Sequence, residues 1–117
     1  MNAANYKEER PWGWFEILFE EAGLKVKRIM VKPGKRLSLQ SHERRAENWV
    51  VIQGRARVTL GEKTYELEPH QAVFIPGQSK HRMENPGKIP LEMIEVQSGA
   101  YLGEDDIVRY EDIYNRA

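Results

Sequence analysis

The chain contains no cysteine among its 117 residues, which excludes disulfide bonds and thiolate chemistry. It has no apolar run of the roughly 20 residues that a membrane-spanning helix requires. Residues 1–10 are polar and lack the apolar core of a secretion signal. Together these absences predict a cytosolic protein that does not act in a membrane.

The chain also lacks an excess of either charge, because 18 basic residues balance 18 acidic residues and the formal net charge is zero. Proteins that bind nucleic acid or anionic membranes usually carry a basic excess or a basic patch. The balance therefore predicts no nucleic-acid partner. It leaves small molecules and other proteins as the partners to consider.

Short segments rich in apolar and β-branched residues recur along the chain, and glycine or proline closes most of them. This pattern is typical of an all-β sandwich or barrel. The predicted strands are 12–18, 24–32, 36–42, 49–52, 55–60, 63–67, 72–75, 81–85 and 91–97. The length suits one domain. We therefore predict a loosely attached N-terminal arm over residues 1–10 and a single domain over residues 11–117.

The C-terminal segment has a different pattern. Residues 104–106 are acidic, which suits the N-terminus of a helix. Ile107, Tyr110 and Tyr114 would line one stripe of that helix. We therefore predict that a short helix ends the chain.

Four side chains with metal-binding potential occur at a spacing that strands could bring together: Gln40, His42, Glu47 and His81. Gln40 and His42 are two residues apart and share one face of a strand. Two imidazoles, a carboxylate and an amide oxygen can close around one divalent cation, which could be Zn, Mn, Co, Ni or Fe. The alternative is that these are hydrogen-bonded barrel residues. Because an amide is a weak ligand, Gln40 could instead contact a substrate or a bound water.

The spacing of these residues resembles the first of two motifs in the cupin family and runs through Gly34, Gln40, His42, Glu47 and Gly54. Residues 76–81 resemble the second motif. More specifically, the chain resembles the C-terminal isomerase domain of type II mannose-6-phosphate isomerases. In bacteria that domain usually follows a mannose-1-phosphate guanylyltransferase. The likeness covers nearly everything from Arg10 onward and is most specific over 84–92, 94–99 and 101–109.

The resemblance implies an all-β cupin fold, a double-stranded β-helix or jelly-roll barrel, followed by the predicted short helix. It also implies interconversion of mannose 6-phosphate and fructose 6-phosphate with one divalent metal ion, and a link to GDP-mannose biosynthesis. Small cupin barrels often pair, and several predicted strands are apolar on both faces, so we expect a homodimer. In this chain Asn48 stands where the family usually has a histidine, which leaves the general base unassigned.

The resemblance further implies roles for cationic residues. Arg45, Arg109 and Arg116 match arginines that the family is thought to need, and an arginine fork suits a phosphate group. If the C-terminal segment is helical, Arg109 and Arg116 share one face. We expect catalytic roles for Arg45, Glu47 and Arg109, and substrate binding by Arg109, Arg116 and Lys80. The alternative for each cation is an exposed surface charge.

Two other functions remain open on sequence alone. The altered stretch at 43, 44 and 48 also fits a non-catalytic cupin module that binds a sugar phosphate. An iron-dependent cupin oxygenase is the third possibility, and the phosphate-suited arginines make it the least favoured. Trp49 shares the strand parity of Glu47 and is a candidate wall of the binding pocket.

Overall fold

The computed structural model describes residues 6–111, which form eleven strands in two antiparallel sheets. The strands are β1 (Tyr6–Arg10), β2 (Gly13–Glu21), β3 (Leu24–Val31), β4 (Leu39–Ser41), β5 (Arg45–Gln53), β6 (Ala56–Leu60), β7 (Lys63–Leu67), β8 (Ala72–Ile75), β9 (His81–Glu84), β10 (Leu91–Gly99) and β11 (Val108–Glu111). The order is β1-β2-β3-β10-β5-β8 in the larger sheet and β11-β4-β9-β6-β7 in the smaller. The predicted all-β jelly-roll architecture is confirmed.

The two sheets face each other, and alternate residues of their strands point into the space between them. Trp49, Val51, Leu91 and Met93 of the larger sheet are buried there, as is Met83 of the smaller sheet. The intervening residues on the same strands are partly or fully exposed. A period of two therefore separates the core from the surface.

The inner face of the larger sheet changes character along its length. Three successive rows of paired residues cross β3, β10 and β5. The first row is apolar and consists of Ile29, Met93 and Val51. The second consists of Lys27, Glu95 and Trp49, and the third of Lys25, Gln97 and Glu47. All nine residues are buried, so the polar rows place charged groups inside the barrel at one end.

The predicted C-terminal helix is wrong within the described residues, because Val108–Glu111 form strand β11 and pair with β4. Asp106 explains part of the difference. Its carboxylate accepts hydrogen bonds from the backbone N–H groups of Glu43 and Arg44 at 3.1 and 2.9 Å, and so joins another loop rather than capping a helix. Tyr114 and Arg116 lie outside the described residues.

The segment predicted as an N-terminal arm contains an ordered part. Residues Tyr6–Arg10 pair antiparallel with β2 along their full length and form the edge of the larger sheet. Within residues 6–111 there is no helix long and apolar enough to cross a membrane.

Candidate metal centre

A cavity of about 120 Å³ lies between the sheets at the polar end of the barrel. Aromatic and aliphatic side chains form part of its wall, including Trp12, Phe15, Ile29 and Trp49. Charged side chains form much of the rest. Its cations are Arg10, Lys27, Arg45, Arg82 and Arg109, and its carboxylates are Glu47, Glu95 and Glu104. Such a mixture suits a polar, anionic small molecule that also presents an apolar face.

Three of the four predicted metal ligands converge in this cavity. His42 follows β4, Glu47 lies on β5 and His81 begins β9, and all three are buried. One ligand atom from each can be chosen so that the three lie within 4.8 Å of one another. The imidazole rings of His42 and His81 stack with centroids 5.1 Å apart. The fold therefore brings His42 and His81, which are 39 positions apart in sequence, into one cluster.

Hydrogen bonds fix how these ligands are presented. The His81 Nδ1–H donates to the carbonyl of Ser79 at 3.0 Å, which leaves Nε2 unprotonated in the neutral ring. The indole Nε1–H of Trp49 donates to Glu47 Oε1 at 2.8 Å. The Trp49 ring also meets His81 edge-on, with centroids 5.6 Å apart. Trp49 therefore forms a pocket wall as predicted and orients the carboxylate.

Gln40, the fourth predicted ligand, also reaches the cavity wall. It pairs with His81 on β9 and with Arg109 on β11, so these three residues form one row of the smaller sheet. Its amide Nε2 donates to Ser38 Oγ at 3.1 Å. This bond directs the amide nitrogen toward Ser38 and keeps the side chain beside the cluster.

Burial decides the charge state of the imidazoles. Burial, followed by the charges of Arg45 and His81, lowers the pKa of His42 to about 2. Burial also lowers the pKa of His81, although its backbone hydrogen bond to Ser79 opposes the shift. Both rings are therefore neutral at pH 7, which is the form that binds metal ions.

Arg45 is buried against the same cluster. Its Nε donates to Glu47 Oε2 at 2.8 Å, and its Nη2 donates to His42 Nε2 at 2.8 Å. Gly99 of β10 pairs with Arg45, and a Cβ at that position would collide with the Arg44 carbonyl. β5 and β10 therefore approach closely here, and the hydrogen bonds of Arg45 hold its guanidinium against two of the three candidate ligands.

The other predicted site residues are placed differently. Arg109 lies on β11 and lines the cavity, and its predicted role in substrate binding stays a prediction. Lys80 is not among the residues that line the cavity, and its ammonium group is 4.4 Å from the centre of the Tyr110 ring. Its predicted role in substrate binding stays a prediction. Arg116 lies outside the described residues. Asn48 is exposed on the outer face of β5, so the histidine usual at this position would also point away from the cavity.

Several cavity residues were not singled out from sequence, namely Arg10, Lys27, Glu95 and Glu104. Lys27 Nζ pairs with Glu104 at 3.0 Å, and Lys25 Nζ pairs with the same carboxylate at 3.2 Å. A signal was present, because Lys25 and Lys27 share strand parity with Ile29 and Val31. Glu95 likewise shares parity with Leu91 and Met93. The charged residues simply occupy the buried face.

Comparison with known proteins assigns the chain to a family. A family model described as "Mannose-6-phosphate isomerase C-terminal" matches residues 2–112. The chain belongs to this mannose-6-phosphate isomerase C-terminal family. The resemblance noted from the cupin motifs is thereby confirmed, and His42, Glu47 and His81 all lie inside the matched range.

Three named relatives extend the comparison. The chain is 57% identical over 107 residues to the alginate biosynthesis protein AlgA of Pseudomonas aeruginosa. It is 56% identical over 110 residues to the xanthan biosynthesis protein XanB of Xanthomonas campestris. It is 51% identical over 107 residues to the mannose-1-phosphate guanylyltransferase ManC of Salmonella typhimurium. These matches cover 92–94% of this chain but only 22–24% of each relative.

Solved structures confirm the cupin-type fold. The oxalate decarboxylase of Bacillus subtilis superposes with a TM-score of 0.80 over 90% of this chain and 30% of that one, at 17% identity. The capsular polysaccharide assembling protein CapF of Staphylococcus aureus gives 0.78 over 92% and 34%, at 18% identity. A cupin domain of Schizosaccharomyces pombe Cnp3 gives 0.69 over 73% and 64%, at 15% identity. At these identities the likeness concerns the fold alone.

The residues of the cluster fit a divalent cation. Two neutral imidazoles and one carboxylate are a common donor set for Zn, Mn, Fe, Co or Ni. Because His42 Nε2 accepts a hydrogen bond from Arg45, the proton of the neutral ring lies on Nδ1, which is buried and makes no hydrogen bond within the described chain. That group is costly to leave unsatisfied, and a cation would have to displace either the proton or the guanidinium to bind this ring. Arg45 competes for the same donors, because it occupies His42 Nε2 and one oxygen of Glu47.

Proposed function

We propose that this chain is a metal-dependent aldose–ketose isomerase that interconverts mannose 6-phosphate and fructose 6-phosphate. The main support is the convergence of His42, Glu47 and His81 in the cavity of a chain of the mannose-6-phosphate isomerase C-terminal family. The guanylyltransferase name of one relative also supports a role in mannose phosphate metabolism. Isomerase activity of this chain itself is the part that an assay must establish.

The cavity side chains would divide the work of holding the sugar phosphate. Arg109 would donate its planar fork to the phosphate, and the Trp49 ring would form an apolar wall beside the sugar. Arg45 would hold the Glu47 carboxylate in position through Nε. A divalent cation held by His42, Glu47 and His81, with Gln40 beside it, would polarise the oxygens at C1 and C2 and stabilise developing negative charge.

Turnover tests the proposal directly. The purified chain should be stripped with a chelator, reloaded separately with Zn, Mn, Co, Ni or Fe(II), and assayed for fructose 6-phosphate formation from mannose 6-phosphate. We expect turnover with at least one metal and its loss on renewed chelation. Absence of turnover with all five metals, in protein shown to be folded, would contradict the proposal.

The second candidate is a non-catalytic module that binds a sugar phosphate, and the placement of Arg45 favours it. The guanidinium already occupies His42 Nε2 and Glu47 Oε2, so a cation is present where the metal would bind. In that case the protein would bind mannose 6-phosphate without metal and without turnover. Calorimetric titration of chelated protein with mannose 6-phosphate, beside the turnover assay, separates the two functions.

We also propose that two copies pair through the outer face of the larger sheet. Val26, Val50, Ile94 and Val96 lie on that face and are only partly buried in the single chain, and Phe74 on β8 is 54% exposed. Several partly exposed apolar side chains on one face favour an interface, although Arg28 and Asn48 lie among them. Light scattering should give twice the 13.7 kDa mass of the chain, and Phe74→Glu should shift the mass toward the monomer.

A further inference from the structure

The structure points to Glu95 as the general base of the isomerisation, an inference that rests on the proposed function. Glu95 lies on β10, its side chain lines the cavity, and only 6% of the residue is exposed. It is not a member of the His42, Glu47 and His81 cluster. The proposed reaction needs a group that takes a proton from carbon, and those three side chains would be engaged by the cation.

The surroundings of Glu95 are unusual for a buried carboxylate. Gln97 donates a hydrogen bond to it through Nε2. Burial and the charge of Glu47 raise the pKa of Glu95 to about 7, although the charges of Lys27 and Arg45 lower it. Lys27 is its direct neighbour on β3, yet the Lys27 ammonium pairs with Glu104 instead. A buried carboxylate with so little compensation costs stability, so a role in the cavity would account for it.

The position of Glu95 relative to the candidate metal centre also suits the role. It pairs with Trp49 on β5, while Glu47 occupies the next inward-facing position on that strand. Glu95 and Glu47 are therefore diagonal neighbours on adjacent strands, about 7–8 Å apart, and one small sugar could contact both side chains. Rigid strands hold both groups, and Gln97 fixes the carboxylate from behind.

The proton transfer balances with Glu95 as the only base at carbon. In open-chain mannose 6-phosphate, the Glu95 carboxylate takes the proton from C2. The C–H electron pair becomes a C1–C2 double bond, and the former carbonyl oxygen O1 takes a proton from water, to which the O2 hydroxyl returns one in the second half of the reaction. The O2 hydroxyl then loses its proton as the C2 carbonyl forms, and the neutral Glu95 carboxyl returns its proton to C1. The product is fructose 6-phosphate, and the carboxylate is restored.

The test compares three variants of the full chain, each loaded with the metal that gives the highest wild-type turnover. Glu95→Gln keeps the side-chain shape and can still accept the hydrogen bond from Gln97, so it should fold. We expect kcat to fall by about 10²–10⁴-fold, with KM for mannose 6-phosphate within threefold and metal content unchanged. Glu95→Asp, which withdraws the carboxylate, should show an intermediate loss and should decide the question if Glu95→Gln fails to fold.

The matched control is Glu92→Gln, on the opposite face of the same strand, where Glu92 pairs with Arg28. It should leave kcat, KM and metal content within twofold of the wild type. Turnover should also be run in D₂O, where Glu95→Gln should lose deuterium uptake at carbon in parallel with isomerisation.

The outcomes separate this inference from the function on which it rests. If the wild type turns over and Glu95→Gln keeps kcat within threefold, Glu95 is not the base. If Glu95→Gln loses the metal, Glu95 supports the centre and the inference is also overturned. If the metal-loaded wild type itself shows no turnover, the proposed function fails, and this inference fails with it.

Discussion

The apolar end and the polar end of the larger sheet are built from the same strands but have different roles. In the apolar row, Met93 pairs with Ile29 and Val51. Two rows further along the sheet, Gln97 pairs with Lys25 and Glu47. The backbone hydrogen bonds run on without interruption through these rows. The sheet therefore provides a rigid frame whose apolar end supplies stability, while its polar end holds charged groups at fixed positions for chemistry.

Among the substitutions considered, replacement of His81 at the polar end should have the largest effect on function. His81→Ala removes one of three converging ligands, so we expect loss of bound metal by elemental analysis and loss of turnover by at least about 100-fold. The matched control is His70→Asn, because His70 lies outside the cavity and its φ of 77° suits asparagine. Full metal content in His81→Ala would contradict the proposed ligand set.

Replacing Leu91 should break the apolar end. Leu91 is completely buried, so Leu91→Ala should lower the free energy of unfolding by about 2–5 kcal/mol through lost burial and a residual cavity. Urea denaturation measures the change. Ile89→Ala is the control, because Ile89 is 55% exposed and should change stability by less than about 0.5 kcal/mol. Equal effects for the two variants would mean that the core is misplaced.

Arg109 lines the cavity at the polar end but belongs to the smaller sheet, so its replacement tests that end without altering the larger sheet. Arg109→Ala should raise KM for mannose 6-phosphate about tenfold, equivalent to about 1.4 kcal/mol, by removing a charged hydrogen-bond donor to phosphate. Metal content should not change. Lys80→Ala is the control, because Lys80 packs on Tyr110 outside the cavity wall. If KM rose only in Lys80→Ala, phosphate binding would have to be assigned to Lys80 and not to Arg109.

The neutral imidazoles predict a pH dependence confined to the polar end. The folded-state pKa of His42 is lowered to about 2, and that of His81 is lowered as well. An unfolded histidine titrates near 6.5, so below that pH the unfolded chain binds protons that the folded chain does not. The contribution of the two histidines to the stability of the metal-free protein should therefore fall as pH decreases from 7 to 5, whereas the raised pKa of Glu95, about 7, contributes in the opposite direction over the same range. Urea midpoints measure this, and His42→Gln should show a smaller decrease than the wild type.

The smallest expected effect concerns the turn that supports His42. Gln78 has a φ of 65° and donates its backbone N–H to the His42 carbonyl at 2.7 Å. Gln78→Gly should relieve the left-handed strain and raise the free energy of unfolding by about 0.5–1 kcal/mol. Gln71→Gly, at a loop residue without a positive φ, should lower it instead. Equal changes in both variants would count against strain at Gln78.

Local patterns were sufficient for much of the fold. Alternation of apolar and polar residues, closed by glycine and proline, predicted nine of the eleven strands; β11 was predicted as a helix, and β1 was placed in an arm. The acidic residues before β11 suggested a helix because sequence could not show that Asp106 binds the backbone of another loop. Pairing with β4 then outweighed local propensity.

The site was predictable only in part. Motif spacing led to His42, Glu47 and His81, and their convergence agrees with that prediction. Motif spacing did not reveal Lys27 or Glu95, whose only signal was their strand parity with buried apolar residues of β3 and β10. Asn48 shows the converse, since a position that looked catalytic from the family pattern lies on the outer face.

By itself the sequence determined nine of the eleven strands, the family and the set of potential metal ligands, because period-two alternation and motif spacing can be read from the chain alone. Only the tertiary structure decided which faces turn inward, how β3, β10 and β5 align in register, and that Arg45 lies over two of the ligands. Those outcomes depend on contacts between residues far apart in sequence. Burial in a shared low-dielectric cavity then sets the charge states on which the chemistry depends.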